Sequence, residues 1–186
     1  MIPTRFTTTD LPKREQFDAW LGWFEGTFNV ALNDGQDEFS ATSVIWTLDK
    51  FAISHVNAPA LTAVRDSALL RSNPIDHWVI TLGQSRTLGS AGAGIALDVP
   101  AFVPYVASLG RELVSNRPSD ERLQLYLPRD GFRELTAILD AAQAQPLATP
   151  LGRLLGDYIV LLQRSLSELE AGDMPRLANA VRAMVM

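Results

Sequence analysis

The chain has 186 residues, a formal net charge of −5, no cysteine, 47% hydrophobic and 20% charged residues, the balance of one folded domain with a substantial core. Without cysteine there are no disulfides, thiolate zinc sites or Cys nucleophiles, and no apolar run approaches the roughly 18 residues of a membrane-spanning helix. Lys13 and Lys50 are the only lysines and no stretch is basic, so the chain lacks the clustered cations that neutralise phosphates in nucleic-acid binding.

From the N-terminus, Met1 to Asp10 is polar and Thr-rich with no apolar leader region, which predicts a cytoplasmic protein. Thr9, Asp10 and Pro12 read as a helix start. Phe17, Trp20, Leu21, Phe24 and Phe28 then recur at helical spacing, predicting a helix over about Leu11 to Phe28 with one aromatic face on a sheet. Trp23 falls off that stripe and is left for another element or a partner. Asn33-Asp34-Gly35 is turn chemistry. Strands are expected over 39–48 and 51–57, a hairpin around Asp49-Lys50, and then over 61–66, 78–82, 95–98, 103–109 and 123–127. Roughly seven or eight short strands with few helices between them indicate an antiparallel barrel or sandwich.

Pro128-Arg129-Asp130 ends the strand series. Asp130 opens an expected helix to about Ala142, and Thr149-Pro150 opens a long one carrying Leu151, Leu154, Leu155, Tyr158, Ile159, Leu162, Leu166 and Leu169. Gly172 closes it, and Asp173 caps a last helix with Leu177, Val181, Met184 and Val185. The fold class is therefore α+β: an N-terminal helix with a strand-built body over 1–128, and a helical tail over 129–186 packed on it.

Catalytic chemistry is sparse. His55 and His77 are the only histidines, no His-x-His exists, and no catalytic residue, metal or cofactor is expected. Gly89-Ser90-Ala91-Gly92-Ala93-Gly94 leads into a strand-like run rather than a helix, so it reads as a turn region and not as a phosphate cradle. The acidic pairs Asp37-Glu38 and Asp120-Glu121 sit in polar surroundings and read as solvated loops. A binding cavity is better supplied: Trp46, His55, Arg65, Trp78 and Tyr105 lie on separate expected strands, combining aromatic walls with polar anchors. Arg65 either clamps a carboxylate there or faces water. Strand parity alone leaves open which face is inner. On the long helix, Leu151, Leu155, Tyr158, Leu162 and Leu169 are candidates to meet a partner helix, with Arg153, Asp157, Arg164 and Glu168 on the flanks.

The order of elements has a likeness. Phe17-Asp18-Ala19-Trp20 lies on the first helix and a strand-rich body follows. Then come Leu123-Gln124-Leu125-Tyr126-Leu127-Pro128-Arg129-Asp130-Gly131-Phe132, Thr149-Pro150-Leu151-Gly152-Arg153-Leu154-Leu155 and a closing helix through Leu177-Ala178 to Met184. This resembles the N-terminal, effector-sensing half of AraC/XylS-type bacterial transcription regulators, in the AraC-binding-like group. The resemblance implies a cupin-like barrel that binds a small organic effector, a helical tail that forms a homodimer, and DNA contact only through a C-terminal domain of two helix-turn-helix units. It carries over no particular ligand residue. On this reading the end at Met186 precedes that DNA-binding output. The alternatives are a small cupin-like enzyme, an isomerase or hydrolase built around His55 or His77, and a structural dimerisation module with a filled barrel.

Overall fold

The computed structural model describes residues 2–33, 38–48, 51–92 and 94–185, apart from the side chains of Asp120 and Ala171. The turns expected at 34–35 and 49–50, together with Asp37, Ala93 and Met186, lie outside the described residues. The strands described are β1 (Thr4–Thr7), β2 (Asn29–Leu32), β3 (Thr42–Leu48), β4 (Phe51–Ala58), β5 (Leu61–Arg65), β6 (His77–Gly83), β7 (Thr87–Ala91), β8 (Ile95–Val99), β9 (Tyr105–Ser108), β10 (Leu113–Arg117) and β11 (Asp120–Pro128). They form a six-stranded sheet, β1-β3-β4-β11-β6-β9, and a five-stranded sheet, β2-β5-β10-β7-β8, and every pairing is antiparallel. The helices are α1 (Lys13–Trp23), α2 (Ser67–Ser72), α3 (Thr136–Ala141), α4 (Pro150–Ser165) and α5 (Met174–Val185). The protein is a cupin-like β-sandwich with flanking helices, in the fold class expected.

Side chains alternate between the faces of a strand, and in the larger sheet this alternation separates two chemistries. One cross-strand row runs Trp46, Ile53, Leu125, Ile80, Val106. It faces away from the second sheet and forms the main core with Phe132, Leu139, Leu155, Ile159, Leu162 and Val181 of the helical tail. The row on the opposite face runs Ile45, Ser54, Gln124, Thr81, Tyr105 and points between the sheets. Apolar clusters close the inter-sheet layer at both ends. One joins Val56 and Ala58 to Leu61, Ala63, Trp20 of α1 and, just beyond that helix, Phe24 and Phe28. The other joins Tyr105 and Ala107 to Ala91, Leu97, Val99 and Leu113.

Where expectation and structure differ, the causes are local. The strands β1, β2, β7 and β10 were not foreseen. β7 lies in the glycine-rich run because a Cβ at Gly89 would collide with the Val114 carbonyl, so glycine is what lets β7 approach β10. α1 stops at Trp23 rather than Phe28. Phe24 to Thr27 form a turn, with Thr27 N donating to Phe24 O at 2.9 Å and Gly26 at φ 75°. Trp23 finds its partner within the chain, stacked on Phe6 with ring centroids 4.7 Å apart. After β11 the chain makes two 3-10 turns, Arg129–Gly131 and Arg133–Leu135, before α3. Phe132 sits between them at φ −137°, fully buried, and anchoring it in the core breaks the single helix expected there. α4 begins as expected, with Thr149 Oγ1 accepting from Gly152 N at 3.1 Å, but ends at Ser165.

Candidate functional site

The five residues expected to share a cavity do not converge. Trp46 and Trp78 lie on the tail-facing side of the larger sheet, buried in the main core. His55 lies on that same face, its Nε2 3.4 Å from Glu121 Oε2, at a cleft between the sheet and α4 lined also by Gln84, Phe102, Gln163 and Arg164. Tyr105 points between the sheets, into the apolar cluster at one end. Arg65 points inward and is fully buried, but its guanidinium is taken up by main-chain carbonyls. Nε donates to Leu109 O at 2.6 Å, Nη1 to Thr27 O at 2.9 Å and Gly26 O at 3.4 Å, and Nη2 to Asn73 O at 2.6 Å. Arg65 therefore staples three loops at one end of the sandwich, and neither expected role, carboxylate clamp or solvated surface charge, describes it.

The middle of the inter-sheet layer is polar. The larger sheet contributes buried Ser43, Ser54, Thr81, Arg122 and Gln124, and the smaller contributes Thr87 and Ser115. Side chains here are linked to one another. Tyr126 OH donates to Gln124 Oε1 at 3.2 Å, Gln124 Nε2 donates to Thr81 Oγ1 at 3.4 Å, and Arg117 Nε donates to Ser115 Oγ at 3.0 Å. Burial pushes the Tyr126 phenol above its ordinary pKa, so it stays neutral and a donor at pH 7. Ser43 Oγ is buried with no hydrogen-bond partner among the described residues. Buried polar atoms are normally partnered, and the centre of a small sandwich is normally apolar. A polar interior is therefore a feature to be explained by what it holds.

The chamber itself is small. A cavity of about 20 Å³ is lined by Arg117, Arg122 and Gln124 against Trp20, Phe24 and Phe28, with Val56, Leu61 and Ala63 behind. That is room for about one water. Phe24 and Phe28 also wall a wider cleft of about 490 Å³ at the end of the sandwich, with Trp23, Ile45, Ala52, His77, Leu109 and Tyr126 around it. Burial lowers the pKa of His77, opposed by the charges of Asp130 and Asp76, so its imidazole is neutral at pH 7. His55 and His77 point to opposite faces of the larger sheet and share no cavity. Among the described residues no group of three His, Asp or Glu side chains is placed to hold a metal.

The floor of the chamber is β11, and its end is tied to the tail. Arg129, the first residue after β11, holds Asp140 of α3 with both terminal nitrogens at 3.0 Å and Asp76 through Nε at 2.8 Å. Its guanidinium lies 4.0 Å from the Trp78 ring centroid, and Trp78 Nε1 donates to the same Asp140 at 2.9 Å. A second arginine repeats the device from α5. Arg182 pairs with Glu134 at 2.8 Å, donates to Gly131 O at 2.9 Å and lies over the Phe132 ring.

No family model and no curated protein matches the chain. Among solved structures it is similar to the AraC-like transcriptional activator CuxR, with a TM-score of 0.88 and 28% identity over 98% of this chain and 68% of that one. The fold is AraC-like over 98% of the chain. Lower similarities are to the EutQ protein of Clostridium difficile (TM-score 0.37, 13% identity, 53% of this chain and 76% of that one) and to a cupin-2 domain protein of Rhodospirillum rubrum (TM-score 0.35, 10% identity, 63% and 90%).

In this AraC-like fold the long helix α4 carries two apolar faces. Leu155 and Leu162 are buried against the larger sheet, Tyr158 is half-buried, and Leu169 packs partly on the main core beyond the helix end. Leu151, Leu154 and Leu161 face solvent, 77%, 52% and 63% exposed. The outward seam is thus Leu151, Leu154 and Leu161, with Tyr158 at its edge and half-buried against the main core. Of the five residues expected to meet a partner, Leu151 lies on this seam, Tyr158 at its edge, and Leu155 and Leu162 do not lie on it. Leu154 and Leu161 take their place. The sequence stripe was too wide to separate the faces, because α4 is apolar on both.

Proposed function

We propose that this AraC-like chain is the effector-sensing and dimerisation part of a bacterial transcription regulator, which takes a small organic molecule between its two sheets. The polar chamber is the observation that carries the sensing part: buried Arg122, Gln124, Thr81, Ser54 and Ser115 occupy a layer that stability alone would fill with apolar side chains. The similarity to an AraC-like activator supports the regulatory part. The exposed leucine seam on α4 supports a homodimer. DNA contact then belongs to a helix-turn-helix unit outside the region described, since this chain carries only two lysines and no basic cluster.

The mechanism is a shift between two arrangements of the tail. One face of β11 presents Arg122, Gln124 and Tyr126 to the effector, while the other presents Leu123, Leu125 and Leu127 to the tail core. A ligand that moves β11 therefore acts on α4 and on the Arg129 link together, and its differential affinity for the two arrangements sets the response.

A thermal-shift screen of small organic molecules, followed by sedimentation velocity on each hit, tests this. A true effector raises the melting temperature by mass action and also changes the dimer dissociation constant. A ligand that stabilises without changing association would remove the regulatory link. Separately, the double variant Leu154→Glu with Leu161→Glu is expected to sediment as a monomer at micromolar concentration while melting within a few degrees of the unmodified protein, because both positions are solvent-facing in one copy. A dimer that survives both glutamates places the interface elsewhere.

A further inference from the structure

The wider cleft at the end of the sandwich narrows the effector to a chemical class. We infer that the effector is an uncharged hydroxyl compound of phenolic type, whose ring lies among Trp23, Phe24, Phe28 and Tyr126 and whose hydroxyl hydrogen-bonds to His77. This rests on the reading of the chain as an effector sensor.

Size, surface and charge support it. The cleft measures about 490 Å³, within the range of small-ligand sites, whereas the inner chamber of about 20 Å³ holds about one water and cannot take a ligand's body. The four aromatic rings of the cleft are only half-buried, so a flat apolar body seated there takes both its own surface and theirs out of water. Among the described residues of the lining there is no Asp, Glu, Lys or Arg. An ionised ligand would give up its hydration there without meeting a countercharge, which is costly. Asp76 and Asp130, whose charges reach His77, further disfavour an anion, and Asp76 is already held by Arg129 rather than open to a cation.

The polar contact comes from His77. Its Nδ1 is buried with no hydrogen-bond partner among the described residues, whereas buried polar atoms are normally partnered. The imidazole is neutral at pH 7 because burial lowers its pKa, so one ring nitrogen donates and the other accepts. A hydroxyl satisfies either tautomer, because it both donates and accepts. The position also suits transmission. His77 opens β6, its register partner is Pro128 at the end of β11, and its neighbour Asp76 is held by Arg129. Tyr126, the wall that β11 supplies, donates to Gln124 in the polar chamber. A ligand seated between His77 and Tyr126 therefore bears on β11 and on the Arg129 link together.

The test is a melting and calorimetric titration of the whole chain near neutral pH with phenol and 4-ethylphenol, each beside the compound in which fluorine replaces the hydroxyl, and with benzoate, benzylammonium and glucose. At least one phenol is expected to raise the melting temperature saturably and to bind at least about tenfold more tightly than its fluoro counterpart. Benzoate, benzylammonium and glucose are expected to give no shift. His77→Leu is expected to erase the preference for hydroxyl over fluorine while the ring still binds. Ala52→Trp, which fills the cleft from β4, serves as the second variant should His77→Leu melt abnormally without ligand, and is expected to abolish binding of both compounds. Equal binding of a phenol and its fluoro counterpart, or preferred binding of benzoate, benzylammonium or glucose, overturns the inference and leaves the sensor reading standing. No shift from any of these probes also overturns it, and the sensor reading then stands or falls with the wider screen of small organic molecules.

Discussion

Arg65→Met is expected to cost about 3–5 kcal/mol of folding stability, measured by urea or guanidinium denaturation. Methionine has nearly the length of the arginine stem but none of its donors. Leu109 O, Thr27 O and Asn73 O lie 2.6, 2.9 and 2.6 Å from the guanidinium, inside a site where Arg65 itself is fully buried. Each carbonyl left without a donor costs about 1–3 kcal/mol, and relaxation toward water recovers part of the total. Arg65→Lys retains the charge but offers a compact ammonium in place of a planar fork, so it is expected to recover less than half of the loss. A loss below about 1 kcal/mol for Arg65→Met would mean that the three loops hold their places without it. The result also bears on the chamber, because the turn held at Gly26 and Thr27 lies between Phe24 and Phe28 of its lining.

The alternation that separates chamber from core is written openly in β11. Arg122, Gln124 and Tyr126 interleave with Leu123, Leu125 and Leu127, and strand parity alone leaves open which face is inner. In the fold both faces are covered. The leucines face the helical tail, which supplies the main core, and the polar residues face the second sheet. A sandwich with helices on its back has two buried faces per strand, and period-two patterning distinguishes apolar from polar without saying which of them is wet. That is why Trp46 and Trp78 seemed to be cavity walls and are core, while Arg122, Gln124 and Tyr126 were passed over. The aromatic stripe of α1 and the helix start at Thr149-Pro150 were legible because each is decided within a few residues. The edge strand β1 and the glycine-bearing β7 were not, because their pairing depends on Ser43, Val44 and Ile45 of β3 and on Val114 and Ser115 of β10, far away in the chain.

Arg129→Met is expected to cost about 2–3 kcal/mol at neutral pH and, more tellingly, to uncouple the chamber from the tail. The substitution removes two bonds to Asp140, one to Asp76 and the cation stacked on Trp78. Hydrogen bonding from Arg129 holds the Asp140 carboxyl below its ordinary range; burial opposes this, while Trp78 and the charges of Arg129 and Arg111 add to it. A carboxyl with a depressed folded pKa contributes its stability fully above the unfolded value of about 3.9, and that contribution is lost as the pH falls through the lower folded value. The gap between the unmodified protein and Arg129→Met is therefore expected to be constant from pH 5 to 8 and to close only below about 3.9. A gap that closed near pH 6 would implicate His77 instead. Denaturation at stepped pH reads this directly, and a double-mutant cycle with Asp140→Asn should return a coupling energy of about 1 kcal/mol or more. Because Arg129 lies outside the chamber lining, an effector should still raise the melting temperature of Arg129→Met by the usual increment. The accompanying change in dimer affinity should shrink, because the strand that feels the ligand has lost its ionic grip on α3. Loss of ligand binding in this variant would instead make the junction part of the binding site itself.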